Sequence, residues 1–136
     1  MVTSRNVLTA ERVMQRNVFV LCPEMQVLDA VEELLQRGAA SAPVLDDGCI
    51  VGVFSEADAL TAIAAVRYEG APVGTVAEHM QRDFDVVGAR TELHEIAACF
   101  RESTALRLPV VDHRRRLLGM VSRSDVLRVL RHAASG

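Results

Sequence analysis

Two seven-residue segments of the chain carry the same polar residues at the same spacing. Residues 52–58 read GVFSEAD and residues 119–125 read GMVSRSD, so each has a glycine, a serine three positions later and an aspartate three positions after that. A serine hydroxyl can donate a hydrogen bond to a phosphate oxygen, and an aspartate carboxylate can accept both hydroxyls of a ribose diol. The chemistry that this pattern predicts is therefore binding of a phosphorylated sugar.

The basic residues near the second segment favour it as the anion site. In each segment the serine lies where a β-branched run gives way to a helical pattern, and free N–H groups at a helix start attract an anion. Arg123 follows Ser122, and Arg107 precedes the same strand pair, whereas Glu56 follows Ser55. A guanidinium binds phosphate bidentately and a carboxylate repels it. The sequence thus ranks the site with Asp125 above the site with Asp58.

A base bound beside such a ribose needs a flat apolar slot, and each half of the chain offers three residues for one. The predicted slot residues are Val18, Pro43 and Ile50 in the first half, and Phe84, Pro109 and Leu117 in the second.

Both the Ser-x-x-Asp pattern and the arginines also have a structural interpretation. Serine followed by an acidic residue three positions later resembles a capping box, in which the two side chains bond to each other's backbone N–H groups. Arg107 and Arg123 can equally pair with surface carboxylates. The sequence leaves open whether these groups bind a ligand or only stabilise the fold.

The two segments belong to an internal duplication. Equivalent residues lie 66 positions apart ahead of a one-residue slip and 67 apart after it, and the slip falls where a hairpin turn tolerates a change of length. The matched pairs are Met14 and Met80, Arg16 and Arg82, Pro43 and Pro109, Val44 and Val110, Asp46 and Asp112, Gly52 and Gly119, Ser55 and Ser122, Asp58 and Asp125, and Leu60 and Leu127.

Each copy predicts the order strand, helix, strand, strand, helix. The leading strands are expected at residues 18–21 and 84–87, and the helices after them have apolar residues at three-to-four spacing. In the first copy that helix stops at Gly38, and in the second Thr91 is the expected N-cap. A hairpin of two β-branched strands and a helix from Ser55 or Ser122 complete the unit. Short lead-in helices are expected after Thr9 and Thr75.

Composition limits the classes of function. The 136 residues are 50% hydrophobic and 24% charged, which suits one compact fold or two small halves. The net charge of −3 disfavours nucleic acid, and the arginine run 114–116 is short. The chain has no lysine, so a P-loop lysine or a Schiff-base lysine is impossible. The apolar runs are too short for a membrane span.

Nothing in the sequence predicts catalysis. The four histidines and three cysteines show neither metal-ligand spacing nor a nucleophile motif. An odd number of cysteines without a C-x-x-C pair, and the absence of a secretory h-region, favour a cytoplasmic protein. We therefore expect a binding protein without a metal or a required cofactor, not an enzyme.

The paired segments and the order of elements around them resemble cystathionine β-synthase (CBS) domains over roughly residues 7–130. The resemblance implies an α+β fold in which two repeats, residues 7–66 and 75–131 with a linker at 67–74, pack about a pseudo-twofold axis. It also implies a homodimer and a regulatory role on an unidentified partner protein. The ligands that it implies are adenosine compounds, namely AMP, ADP, ATP, NAD or S-adenosylmethionine. The alternative is a ligand-free module for dimerisation or partner docking.

Overall fold

The structure, a computed structural model, describes residues 8–135, with side chains up to residue 132. The chain forms two compact units. Residues 19–84 form one, which we call the Asp58 unit. Residues 8–18 and 85–135 form the other, the Asp125 unit. The fold is α+β, as the sequence predicts.

The first long helix of each copy begins and ends for local reasons. Helix α2 spans Val27–Arg37 and ends at Gly38, whose φ of 60° is the left-handed conformation that glycine adopts readily. Helix α5 spans Leu93–Arg101, and its N-cap is Glu92, one residue after the predicted Thr91. The predicted cap is wrong because the Thr91 hydroxyl accepts a hydrogen bond from the Gly88 N–H instead.

The predicted hairpins and the helices after them are confirmed. Strands β1 (Ser41–Asp46) and β2 (Cys49–Ser55) pair antiparallel, and so do β4 (Arg107–Val111) and β5 (Leu117–Ser122). Helices α3 (Glu56–Ala64) and α6 (Arg123–Ser135) begin directly after the two serines. The one extra residue of the second copy lies in the turn after β4, where a change of length leaves the strand pairing intact.

The leading strands are much shorter than predicted. Of residues 18–21, only Leu21 pairs, in a parallel bridge to Val44. In the second copy the strand β3 is Val87–Gly88, parallel to the end of β4, and residues 84–86 are not part of a strand. Both runs contain a point where the chain passes from one unit to the other, after Val18 and after Phe84.

The compact units differ from the sequence repeats, because the lead-in helices are exchanged. Helix α1 (Ala10–Val13) precedes the first repeat but packs in the Asp125 unit, where Ala10 joins the core. Helix α4 (Val76–His79) packs in the Asp58 unit, where Val76 joins the core. Thr9 and Thr75 are their N-caps, as predicted. Each unit is thus built from both repeats.

Among the described residues, no helix combines the length and the apolar character that crossing a bilayer requires.

Candidate functional site

The Ser-x-x-Asp pattern forms a helix cap in the Asp58 unit. The Asp58 Oδ2 atom accepts hydrogen bonds from the Ser55 backbone N–H and from its hydroxyl, both at 2.9 Å. The Ser55 hydroxyl oxygen accepts in turn from the Asp58 N–H at 3.1 Å. The structural interpretation of the motif is therefore realised, and the same atoms remain available as candidates for ligand binding.

The Asp125 unit repeats this cap. The Asp125 Oδ2 atom accepts from the Ser122 N–H at 2.9 Å, and the Asp125 N–H donates to the Ser122 hydroxyl oxygen at 3.1 Å. The first N–H of each helix also has an acceptor, because Glu56 donates to the Ala40 carbonyl and Arg123 to the Leu106 carbonyl. The helix starts consequently offer an anion fewer donors than the sequence suggests.

Each carboxylate also accepts a hydrogen bond from a glutamine that the sequence analysis did not single out. Gln81 Nε2 donates to Asp58 Oδ1 at 2.9 Å, and Gln15 Nε2 donates to Asp125 Oδ1 at 3.4 Å. The signal for them was present, since Gln15 and Gln81 are 66 positions apart and lie between residues already matched in the duplication.

The backbone holds both glutamines in place. Gln81 exchanges N–H to carbonyl hydrogen bonds with Val53, and Gln15 does so with Met120. Each glutamine therefore follows a lead-in helix and pairs with the hairpin strand that ends at the capping serine. The exchange of the lead-in helices is what brings each glutamine to its carboxylate.

Asp125 is the more enclosed carboxylate. It exposes 6% of its surface and accepts a further hydrogen bond from Arg128 at 3.3 Å. Burial favours its neutral form, but the hydrogen bonds from Ser122, Gln15 and Arg128 outweigh burial and hold the pKa of Asp125 below its ordinary value. The group is thus an anionic acceptor at neutral pH. Asp58 is partly exposed, and the residue three positions after it is Thr61, whereas the residue three positions after Asp125 is Arg128.

Arg123 does not face the capping box. Its guanidinium donates to the backbone carbonyls of Ala105, Ser103 and Phe100 at 3.1, 2.9 and 3.3 Å, in the last turn of α5 and just after it. The same group lies 5.7 Å from the centre of the Phe100 ring. A cation at the carboxyl end of a helix satisfies carbonyls that the helix leaves open. In this structure Arg123 therefore caps the end of α5, and its contact with a phosphate stays a prediction.

Arg107 is a second arginine near Asp125, besides Arg128. It is the first residue of β4 and the cross-strand partner of Ser122, whereas Ser41 is the partner of Ser55 in the other unit. Burial lowers the pKa of Arg107, and the charge of Asp125 partly offsets this. Arg107 consequently places a half-buried positive charge next to the start of α6.

The predicted slot residues are divided between the units. Pro43 and Ile50 are buried in the Asp58 unit, and Pro109 and Leu117 lie on the hairpin strands of the Asp125 unit. Val18 and Phe84 each belong to the unit opposite their predicted partners. Within one unit, the structure brings together two of the three apolar residues predicted for each carboxylate.

Over residues 8–135, no three His, Cys, Asp or Glu side chains lie close enough together to hold a metal ion.

Solved structures similar to this chain are pairs of CBS domains. CBSX2 from Arabidopsis thaliana is 27% identical, with a TM-score of 0.80 over 96% of this chain and 99% of that one. CBSX2 in complex with AMP is 29% identical, with a TM-score of 0.80 over 93% and 98% of the two chains. The CBS domain pair of MJ0100, in complex with 5'-methylthioadenosine and S-adenosyl-L-methionine, is 20% identical, with a TM-score of 0.77 over 93% and 98%.

Two uncharacterised proteins of Methanocaldococcus jannaschii are also similar. One is 22% identical over 85% of this chain and 37% of its own length, and the other is 25% identical over 87% of this chain and 41% of its own. The chain thus spans about two fifths of these relatives. The CBS domain family model matches residues 10–65 and again residues 73–132. Together these two matches show that the chain belongs to the CBS domain family and carries a tandem pair.

Proposed function

We propose that the chain is a regulatory module that binds an adenine nucleotide and acts on a partner protein. The observation that carries this proposal is the arrangement around Asp125. An ionised carboxylate one turn into α6 lies beside the hydroxyl of Ser122, and Arg107 stands directly across the strand pair from that serine. An anionic acceptor and a cation side by side suit a molecule that carries both a sugar diol and a phosphate.

Each part of such a nucleotide has a matching group in the Asp125 unit. The carboxylate of Asp125 accepts the ribose hydroxyls, which donate better to a charged acceptor than to water. The Arg107 guanidinium, one of the two arginines predicted to bind phosphate, pairs with the phosphate. Leu117 is partly exposed and provides apolar surface for the base, whereas Pro109 is buried in the unit. The equivalent groups of the Asp58 unit are Asp58, Ser55, Pro43 and Ile50, without an arginine at the strand partner.

The similarity to CBSX2 supports an adenosine ligand, because CBSX2 forms a complex with AMP and matches this chain over nearly its whole length. AMP, ADP, ATP, NAD and S-adenosylmethionine share the adenosine that these residues would contact. AMP is the first ligand to test. A bound nucleotide regulates by favouring one conformation over another, in proportion to its difference in affinity for the two.

A thermal-shift screen tests the proposal. Binding to the folded state stabilises the protein by about 2.7 kcal/mol when free ligand is about 100 times Kd. We expect adenosine compounds to raise the melting temperature by several degrees, and guanosine compounds and inorganic phosphate to leave it unchanged. No shift with any adenosine compound would reject the sensor proposal and favour the ligand-free interaction module.

A homodimer through the helical faces is the second part of the proposal. Leu60 on α3 and its repeat equivalent Leu127 on α6 are 70% and 66% exposed, and Leu35 on α2 is exposed beside Leu60. Helices α2 and α3 border an apolar groove in the Asp58 unit, and α5 and α6 border one in the Asp125 unit. Glu56 lines the first groove and Arg101 lines the second. Apolar grooves with opposite charges at their edges suit a second copy of the chain.

Light scattering tests this assembly. The native protein is expected at twice the chain mass of 14.8 kDa, and Leu60→Glu at the mass of one chain, because a charge in an apolar interface is not compensated. Thr61→Glu is the control, since Thr61 is exposed on the same helix and does not line the groove. A native monomer, or an equal response of both variants, would contradict the proposal.

A further inference from the structure

The two glutamines occupy the carboxylate atoms that a ribose needs. Gln81 and Gln15 each direct an amide N–H at the Oδ1 atom of Asp58 or Asp125, and both glutamine side chains are exposed. The glutamine contacts stand in equivalent places of the duplication, although Asp125 Oδ1 also accepts from Arg128, which has no counterpart at Asp58. In both units the bond joins residues far apart in sequence, which means that the fold and not a local pattern creates it.

Counting acceptor positions shows that glutamine and a diol compete. A carboxylate has about four acceptor positions, two on each oxygen. On Asp58, Oδ2 already accepts two hydrogen bonds from Ser55, and Oδ1 accepts one from Gln81. One position is left, whereas a cis-diol that donates both of its hydroxyls needs two. Asp58 can therefore bind the whole diol only when the Gln81 amide leaves Oδ1.

We propose that Gln81 and Gln15 are internal competitors of the nucleotide, each held against the carboxylate until a ribose displaces it. This inference rests on the proposed function and concerns the affinity of the same sites. The Gln81 bond is 2.9 Å long and the Gln15 bond is 3.4 Å, close to the limit for a hydrogen bond. Gln81 consequently competes more strongly than Gln15, and the Asp58 site is the one whose affinity the glutamine lowers more.

Calorimetric titration with AMP tests the competition. In an Asp125→Ala background, which leaves only the Asp58 site, Gln81→Ala is expected to bind AMP about tenfold more tightly, as removal of one competing bond to a charged acceptor predicts. In an Asp58→Ala background, Gln15→Ala is expected to gain about threefold, because its bond is longer and Arg128 still donates to the same Oδ1 atom. Both substitutions keep the backbone bonds of the glutamines to Val53 and Met120.

The control is Gln36→Ala, which removes an exposed glutamine of α2 away from both carboxylates and should leave the affinity unchanged. Unchanged or weaker AMP binding in Gln81→Ala overturns this inference, and weaker binding would mean that the glutamine holds the ligand. If the native protein binds no adenosine compound at all, the proposed function fails and the inference fails with it. These two failures are distinguished by the titration of the native protein.

A second measurement uses the native chain and so does not depend on the folding of a variant. The side-chain amide signals of Gln81 and Gln15 in a nitrogen-15 NMR spectrum report directly on their hydrogen bonds to the carboxylates. We expect both pairs of signals to move as AMP is added, with the signals of Gln36 unmoved. Saturation with AMP while the Gln81 and Gln15 signals stay in place would overturn the displacement.

Discussion

Gly119→Ala is expected to lower the free energy of unfolding by about 3 kcal/mol, because added bulk in a packed site forces the backbone to shift. A methyl group at Gly119 would lie 2.6 Å from the backbone oxygen of Gln15 and 2.8 Å from the sulfur of Met14. Strand β5 and the segment after α1 must then move apart, and the bridge between Gln15 and Met120 breaks. Urea unfolding followed by circular dichroism measures the loss.

Two other glycines provide a control and an intermediate case for this loss of stability. Gly88→Ala, in the same unit, is the control, because its nearest neighbour is 3.6 Å away and an alanine fits there at ordinary contact. Gly52→Ala should cost about 1 to 2 kcal/mol, since the closest atom is the flexible sulfur of Met80 and the Gln81 carbonyl oxygen lies at 3.0 Å. Equal stabilities of Gly119→Ala and Gly88→Ala would contradict the close approach of the lead-in segment.

Asp125→Ala is expected to weaken AMP binding at its site about 100-fold. Two ribose hydroxyls lose a charged acceptor, and each such hydrogen bond contributes about 1.5 kcal/mol or more. Calorimetry below the melting temperature of the variant measures the loss of affinity. Asp58→Ala removes the equivalent carboxylate of the other unit and shows which site accounts for the remaining binding.

The stability of the same variant does not reveal whether Asp125 binds a ligand. The Asp125 carboxylate also accepts from Ser122, Gln15 and Arg128, so its removal destabilises the free protein whether or not a ligand exists. Asp125→Asn is the useful companion, because it keeps one oxygen and the shape of the side chain while losing the charge. Unchanged AMP affinity in both Asp125 variants and in Asp58→Ala would exclude the carboxylates from the site.

Features that depend on neighbouring residues could be predicted from the sequence alone. Apolar spacing and Gly38 define α2, and the two hairpins follow from β-branched runs on either side of short turns. The caps at Ser55 and Ser122 form because each serine and its aspartate are three positions apart, which is one turn of helix. The duplication made these predictions firmer, since the same pattern appears twice in one chain.

The surroundings of the two carboxylates, in contrast, depend on how distant segments pack. The Gln15 to Asp125 contact joins residues 110 positions apart, and the Gln81 to Asp58 contact exists because α4 packs in the Asp58 unit. Arg123 turns to the end of α5 because open carbonyls lie within its reach there, and the sequence beside it shows only the neighbouring serine. Local patterns fix where a helix starts, whereas the side chains that meet at that start depend on which distant segments the core brings together.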